Sequence, residues 1–321
     1  MKKALICGIS GQDGAYISKL LLEKGYEVYG GSRDAQMSSF KNLKTLQIFN
    51  DVNLISININ DFRSVLQTII KIKPDEIYNL AGQSSVGLSF EQPVETLESI
   101  SIGTLNILES IRFSNLPIKF YNAGSSECFG DTGSLAADEK TLFQPRSPYA
   151  VAKSTAYWLV SNYRESYKIH ATTGILFNHE SPLRPNRFVT KKIISTACKI
   201  FNGSNETLFL GNIDISRDWG WAPEYVEAMW LMLQNEQPSD YVIATGISRT
   251  LEDFIDITFS YFKLNYKDHI LVDNNLLRPT DLKIGRANPN KAFKELGWKA
   301  NFMLEDIIKE MIEFELSITN K

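Results

Sequence analysis

The chain has 321 residues, enough for one large domain or two smaller ones, with 43% apolar and 22% charged residues, the balance of an ordinary globular enzyme. A net charge of −3 gives no bulk attraction for nucleic acid or an anionic membrane, so any anionic ligand must be held by a local group of basic side chains. Cys7, Cys128 and Cys198 fit neither zinc spacing nor a disulfide framework and imply a reduced, cytoplasmic protein.

Near the start, Ala4–Cys7 reads as a buried strand, too short an apolar run for a secretory leader, and no run approaches the ~20 residues of a membrane span. Gly8, Gly11 and Gly14 follow at once, then a helix over 16–24 and a strand over 27–30. Glycines there make a tight turn, let the backbone approach a pyrophosphate and allow close helix–strand packing, which makes this a dinucleotide-binding opening. The second strand runs into Ser32-Arg33-Asp34. Arg33 would meet a 2′-phosphate, whereas Asp34 would oppose it; the reading favours NADP over NAD.

Residues 35–52 read as a polar connection, 54–59 as a strand and 61–71 as a helix. Strands over 76–81, 118–123 and 171–177 end in the polar groups Gly82–Ser85, Ser125/Glu127 and Asn178–Pro182. Ligands sit at the carboxyl ends of strands in open α/β sheets, so three such ends point to one site. Helices are predicted over 98–112, 149–167, 188–201, 223–234 and 251–262, a strand over 241–244 that returns to the sheet, an arginine-bearing loop over 276–286, and closing helices over 293–298 and 304–316.

Tyr149 and Lys153 are four apart, on one face of a helix. An adjacent ammonium favours a phenolate, and such a tyrosine can take a proton from a sugar hydroxyl. Glu127 supplies a carboxylate for a second proton. Cys128 beside it, with no activating partner in the pattern, reads as a small apolar residue. Lys191 reads as a solvated face, and Trp219 and Trp221 as packing rather than base-stacking. His179 is open between a satisfied core histidine and a ligand contact.

These features identify the chain as resembling the extended short-chain dehydrogenase/reductase superfamily. The stretches GISGQDGAY, PDEIYNLAGQSSVGLSFEQP, RSPYAVAK, GILFNHESPLR, FVTKKI and LGNIDISRDWGWAPEYVEAMW narrow the resemblance to the GDP-mannose 4,6-dehydratase family over roughly residues 4–316. The resemblance implies an α/β fold, a Rossmann-like doubly wound parallel sheet with a smaller, mostly C-terminal α/β substrate region. The expected division is 1–178 for the dinucleotide domain, with 212–247 returning to it, and 179–321 for the nucleotide-sugar region.

The implied reaction is oxidation of GDP-mannose at C4, loss of water across C5/C6 and return of the same hydride to C6, giving GDP-4-keto-6-deoxymannose. Tyr149 is then the base at the C4 hydroxyl, Lys153 lowers its pKa, Ser125 binds the C4 oxygen and Glu127 moves the C5 proton. Candidate cofactor contacts are Gly8, Ser10, Gly11, Gln12, Asp13, Gly14, Arg33, Asn58, Ile59, Leu80, Ala81, Gln83, Ser84, Tyr149, Lys153, His179 and Arg184. Candidate substrate contacts are Ser84, Ser85, Asn178, Val189, Lys192, Arg217 and Arg278, the two arginines suiting a pyrophosphate clamp. No metal is implied, and a homo-oligomer, dimer or tetramer, is. Asp34, Glu95, Ser85 and Leu183 depart from the family pattern, which leaves open a dehydratase, epimerase or reductase acting on a related GDP-sugar such as a GDP-mannoheptose.

Overall fold

The computed structural model describes residues 1–319, so positions 320 and 321 of the expected second region lie outside the described residues. Alternate residues of the first strand, β1 (Lys3–Cys7), face opposite ways, and both ways are apolar: Ala4 and Ile6 enter one core, Leu5 and Cys7 another. A strand buried on both faces needs helices on both sides. The chain continues through α1 (Gln12–Glu23), β2 (Glu27–Ser32), α2 (Lys41–Thr45), β3 (Asn53–Ser56), α3 (Phe62–Ile72) and β4 (Glu76–Asn79). Next are α4 (Val86–Glu91), α5 (Pro93–Leu97), a π-helical turn (Glu98–Ile102), α6 (Gly103–Ser114), β5 (Lys119–Ala123), a 3₁₀ turn (Ser126–Phe129), α7 (Pro148–Tyr167) and β6 (Ala171–Leu176). The remaining elements are β7 (Asn178–Glu180), α8 (Val189–Phe201), β8 (Leu208–Leu210), β9 (Ser216–Trp221), α9 (Ala222–Gln234), β10 (Tyr241–Ile243), β11 (Ser248–Thr250), α10 (Leu251–Tyr261), β12 (Ile270–Val272), α11 (Asn290–Leu296) and α12 (Leu304–Thr319).

Seven strands form one all-parallel sheet in the order β10-β6-β5-β4-β1-β2-β3. The winding reverses between β1 and β4, and a crevice opens there at the carboxyl edge. This is the expected doubly wound architecture. No described helix is long and apolar enough to cross a membrane.

Several boundaries differ from the sequence reading. α1 begins at Gln12 rather than residue 16, because Gly14 lets its first turn press onto the preceding loop. β3 stops at Ser56, and Asn58 turns the chain by accepting from the Asn60 N–H. The expected return of 212–247 to the main sheet starts only at Ala222. β9 instead lies between β11 and β7 in a separate three-stranded sheet, while α9 packs on α1 and β10 pairs with β6. A second return follows: α11 packs on β10 and α9, and Ala292, Trp298 and Ala300 join the core that holds Ala4 and Ile6. The other half has its own core, where Ile193, Trp219, Phe254, Ile308 and Met311 meet.

Candidate active site

The glycine turn is shaped for close approach. Gly8 has φ +89°, and a Cβ on it would lie 2.8 Å from the backbone of Leu80 and Ala81. A Cβ on Gly14 would lie 2.4 Å from the Gly8 carbonyl oxygen. Gly11 starts α1 with no side-chain cap, leaving the first helical amides free of side-chain competition. A helix start of this kind suits a pyrophosphate, so the residues present fit a dinucleotide.

Asp13 and His179, both candidate cofactor contacts, are tied to each other. His179 Nε2 donates to Asp13 Oδ2 at 2.9 Å, and its Nδ1 donates to the Phe177 carbonyl at 2.8 Å. Both ring nitrogens face acceptors, which favours the imidazolium. Burial works against His179's charge, yet Asp13 and the Phe177 carbonyl raise its pKa. Burial likewise opposes the Asp13 charge, but His179 overcomes it and brings the carboxyl down to about 2. Gln12 Nε2 donates to Asp13 Oδ1 (3.0 Å) and the His179 carbonyl (3.3 Å), and Gln12 Oε1 accepts from Ser181 (2.8 Å). The ring stacks on Tyr225 at 4.6 Å. This cluster bolts the glycine turn to β7.

Ser147 caps α7 by accepting from the Ala150 N–H, and Pro148 occupies its first turn. That start sets Tyr149 and Lys153 on the inward face, both buried. Lys153 Nζ donates to the Ala123 carbonyl at the end of β5 (2.7 Å) and lies 5.8 Å from the Tyr149 ring centroid. Burial lowers the Lys153 pKa to about 8, with the Asp13 carboxylate opposing the fall. Tyr149 lies beside Ser125. Its pKa is raised by burial, with Ser125 pulling the other way, rather than lowered as the Tyr–Lys spacing implied. Desolvation of a phenolate outweighs a lysine whose ammonium is aimed at a backbone carbonyl.

Ser125 caps the 3₁₀ turn that carries Glu127, which is half-buried. Burial raises the Glu127 carboxyl, against the charges of Arg217 and Arg278. Both arginines converge on Asp281 Oδ1, at 3.5 Å and 3.7 Å. Arg278 reaches this point because its loop is pinned to the chain after Glu127: Asp131 accepts from Lys283 N (2.6 Å) and Ile284 N (2.9 Å). Asp131 and Asp281 had no motif to mark them.

Other expected contacts sit around these groups. Ser84 accepts from Arg187 (3.2 Å), a residue the sequence reading passed over. The Gln83 N–H donates to Ser99 Oγ of the π turn (3.2 Å). Ser85 caps α4, and Leu183 is buried in the main core, so two of the departures serve packing and capping. Arg184 pairs with buried Glu180 (3.2 Å) and covers the Phe188 ring (3.8 Å). Asn178 pairs in register with Trp219, and Val189 opens α8. Lys192 donates to the Phe209 carbonyl of β8 (2.6 Å). Asn58 is exposed and Ile59 is buried under α6, its carbonyl held by Asn106 (2.9 Å).

Three subsidiary readings are corrected or resolved. Lys191 is not a solvated face: it is 5% exposed and pairs with Glu315 at 2.6 Å, because α12 covers that side of α8. Trp219 packs against Phe254 (5.7 Å), and Trp221 stacks on Phe302 (5.4 Å), as packing residues do. Cys128 is buried, and desolvation raises its thiol to about 11, which makes it a poor nucleophile.

The family model for GDP-mannose 4,6 dehydratase matches residues 5–311. GDP-mannose 4,6 dehydratase 1 of Arabidopsis thaliana is 45% identical, covering 100% of this chain and 91% of its own. GDP-mannose 4,6 dehydratase of Homo sapiens is 40% identical, covering 99% and 92%. Among solved structures, dTDP-glucose 4,6-dehydratase from Bacillus anthracis, in complex with NAD, matches with a TM-score of 0.86 at 18% identity, over 99% of this chain and 97% of its own. RMD from Pseudomonas aeruginosa, complexed with NADPH, matches with a TM-score of 0.81 at 20% identity, over 99% and 100%. At such identities these two matches speak for the fold alone.

Proposed function

The chain belongs to the GDP-mannose 4,6-dehydratase family, and from that premise we propose that it is a hydro-lyase converting GDP-mannose to GDP-4-keto-6-deoxymannose. The observation that carries the reading is the gathering of Ser125, Glu127, Tyr149 and Lys153 at the carboxyl end of β5, with the Arg217–Arg278 pair beside Glu127.

A nicotinamide dinucleotide on the glycine turn supplies the hydride acceptor for C4 and the hydride donor for C6. NADP is the preferred form, with Arg33 as the cation for its 2′-phosphate. Within the protein, Tyr149 takes the C4 hydroxyl proton, and Ser125 holds the same oxygen. Lys153 keeps a positive charge near the phenol. The 4-ketone acidifies the C5 hydrogen, which Glu127 removes as a proton. Glu127 then passes that proton to the C6 hydroxyl, which leaves as water; once hydride has returned to C6, a proton from solvent completes C5. A carboxyl raised by burial is suited to both halves of that exchange. Arg217 and Arg278 can move from Asp281 to the pyrophosphate of the GDP group, for which their charge and fork geometry fit.

Incubation of the purified protein with GDP-mannose and catalytic NADP tests the reading. A 4-keto, 6-deoxy product with no net change at 340 nm supports it; stoichiometric use of reduced cofactor would overturn it. A homo-oligomer is part of the same proposal. Val151 and Trp158 are exposed on α7, and Val94 and Leu97 on α5, which packs against α7; a second copy would cover such apolar residues. Light scattering of the purified protein checks it, and a monomer would remove this part.

A further inference from the structure

Arg33 and Glu95 come from opposite sides of the crevice. Arg33 follows β2, and Glu95 lies on α5, beyond β4; these two strands flank β1 in the sheet. Their side chains approach to 3.9 Å, with Arg33 83% exposed and Glu95 44% exposed. The pair therefore links the β2 side of β1 to its β4 side. The neighbouring acid is engaged elsewhere: Asp34 Oδ1 accepts from the N–H groups of Gln36 and Met37, both at 2.9 Å. Asn42 secures the same loop by donating to the Ser10 carbonyl at 2.9 Å. An acid at the end of the second strand would be the usual partner of a ribose 2′-hydroxyl. Here that acid caps its own turn, and the carboxylate facing the arginine comes from α5.

We propose that Glu95 is a specificity-determining residue that weakens the discrimination between NADP and NAD. The proposal rests on the nicotinamide-cofactor reading above. To bind a 2′-phosphate, Arg33 must exchange Glu95 for the phosphate, and the Glu95 carboxylate then faces a second anion. A 2′-hydroxyl suffers no such repulsion and can donate to that carboxylate. Glu95 thus lowers affinity for NADP and supports NAD. Because the pair is exposed, the effect is on the order of threefold to tenfold and is screened by salt.

Isothermal titration of NADP and NAD into the full-length protein, Glu95→Gln and Glu91→Gln tests this. Glu91 is exposed on neighbouring α4 and controls for loss of one negative charge. The expected result is a threefold to tenfold rise in the NADP-over-NAD affinity ratio for Glu95→Gln, shrinking at 1 M salt, and no such rise for Glu91→Gln. An unchanged ratio in Glu95→Gln, or an equal rise in both variants, overturns the role of Glu95 while leaving the cofactor reading intact. If the parent protein binds neither nucleotide, the cofactor reading falls and the proposal falls with it.

Discussion

Tyr149 takes the C4 hydroxyl proton only as its phenolate, so the rise that burial imposes on its pKa, with Ser125 pulling the other way, must be overcome before that transfer. Tyr149→Phe should lower kcat by roughly 10³-fold while leaving cofactor affinity within about twofold, read by product formation and calorimetry. Glu127→Gln should still oxidise C4, seen as one burst of reduced cofactor, yet form no dehydrated product; normal dehydration would remove its role. The Glu127 carboxyl is raised, so as pH falls the base form disappears earlier than for an exposed glutamate. The acid limb of kcat/KM should then lie above the ~4.3 of a free glutamate side chain. Lys153 loses its proton as pH rises through about 8, placing the basic limb there.

The Asp13–His179 pair makes a separate residue-scale prediction, about stability. Asp13 has a lowered pKa, so its contribution is present above the ordinary aspartate value and fades as pH falls through about 2. His179 has a raised pKa, so its contribution is complete below the ordinary histidine value and is lost as pH climbs through the raised one. Asp13→Asn should cost about 2 kcal/mol in urea unfolding, with the largest gap between about pH 4 and pH 6.5. A gap that does not vary with pH would mean that charge is not what joins these residues.

At the scale of elements, α1 can serve as a phosphate platform because its first turn sits on the loop before it. Gly14→Ala puts a Cβ 2.4 Å from the Gly8 carbonyl oxygen and 2.6 Å from Ile9 Cα, both backbone atoms. The helix start must shift, and the cofactor Kd should rise tenfold or more, roughly 1.4 kcal/mol, by titration. The π turn before α6 has a similar duty. Gly82, with φ +117°, packs against Ser99 and Ile100 of that turn, and this contact positions the loop after β4. A widened turn absorbs an extra residue without ending the helix, and neighbouring sequence carries no sign of it. The glycine spacing at 8–14 announced its own function, whereas β7, β9 and β11 are three short or aperiodic strands recognisable only by their pairing.

Over the whole molecule, the second half is fastened to the first by segments that cross back. α9 and β10 join the main sheet, and α11 joins its core. The loop bearing Arg278 is stitched to the loop after Glu127 through Asp131. α12 closes the far core and meets α8 through the Lys191–Glu315 pair. Breaking a pair this buried should cost about 3 kcal/mol, so Lys191→Ala is expected to lower the unfolding midpoint without changing kcat. A loss of kcat in a folded variant would place Lys191 in the site instead.

The glycine turn, the Tyr149–Lys153 spacing and the alternating apolar strands were legible in the chain alone, because each is set by neighbours within one turn or one strand. Packing decided the partners: Asp13 with His179, Arg217 and Arg278 around Asp281, Arg33 with Glu95. Packing also reversed the expected direction of the Tyr149 shift, since desolvation depends on everything that surrounds a group and not on the residue four places along. Local periodicity reports which face of an element is buried; it carries no information about which distant charge the fold will bring to that face.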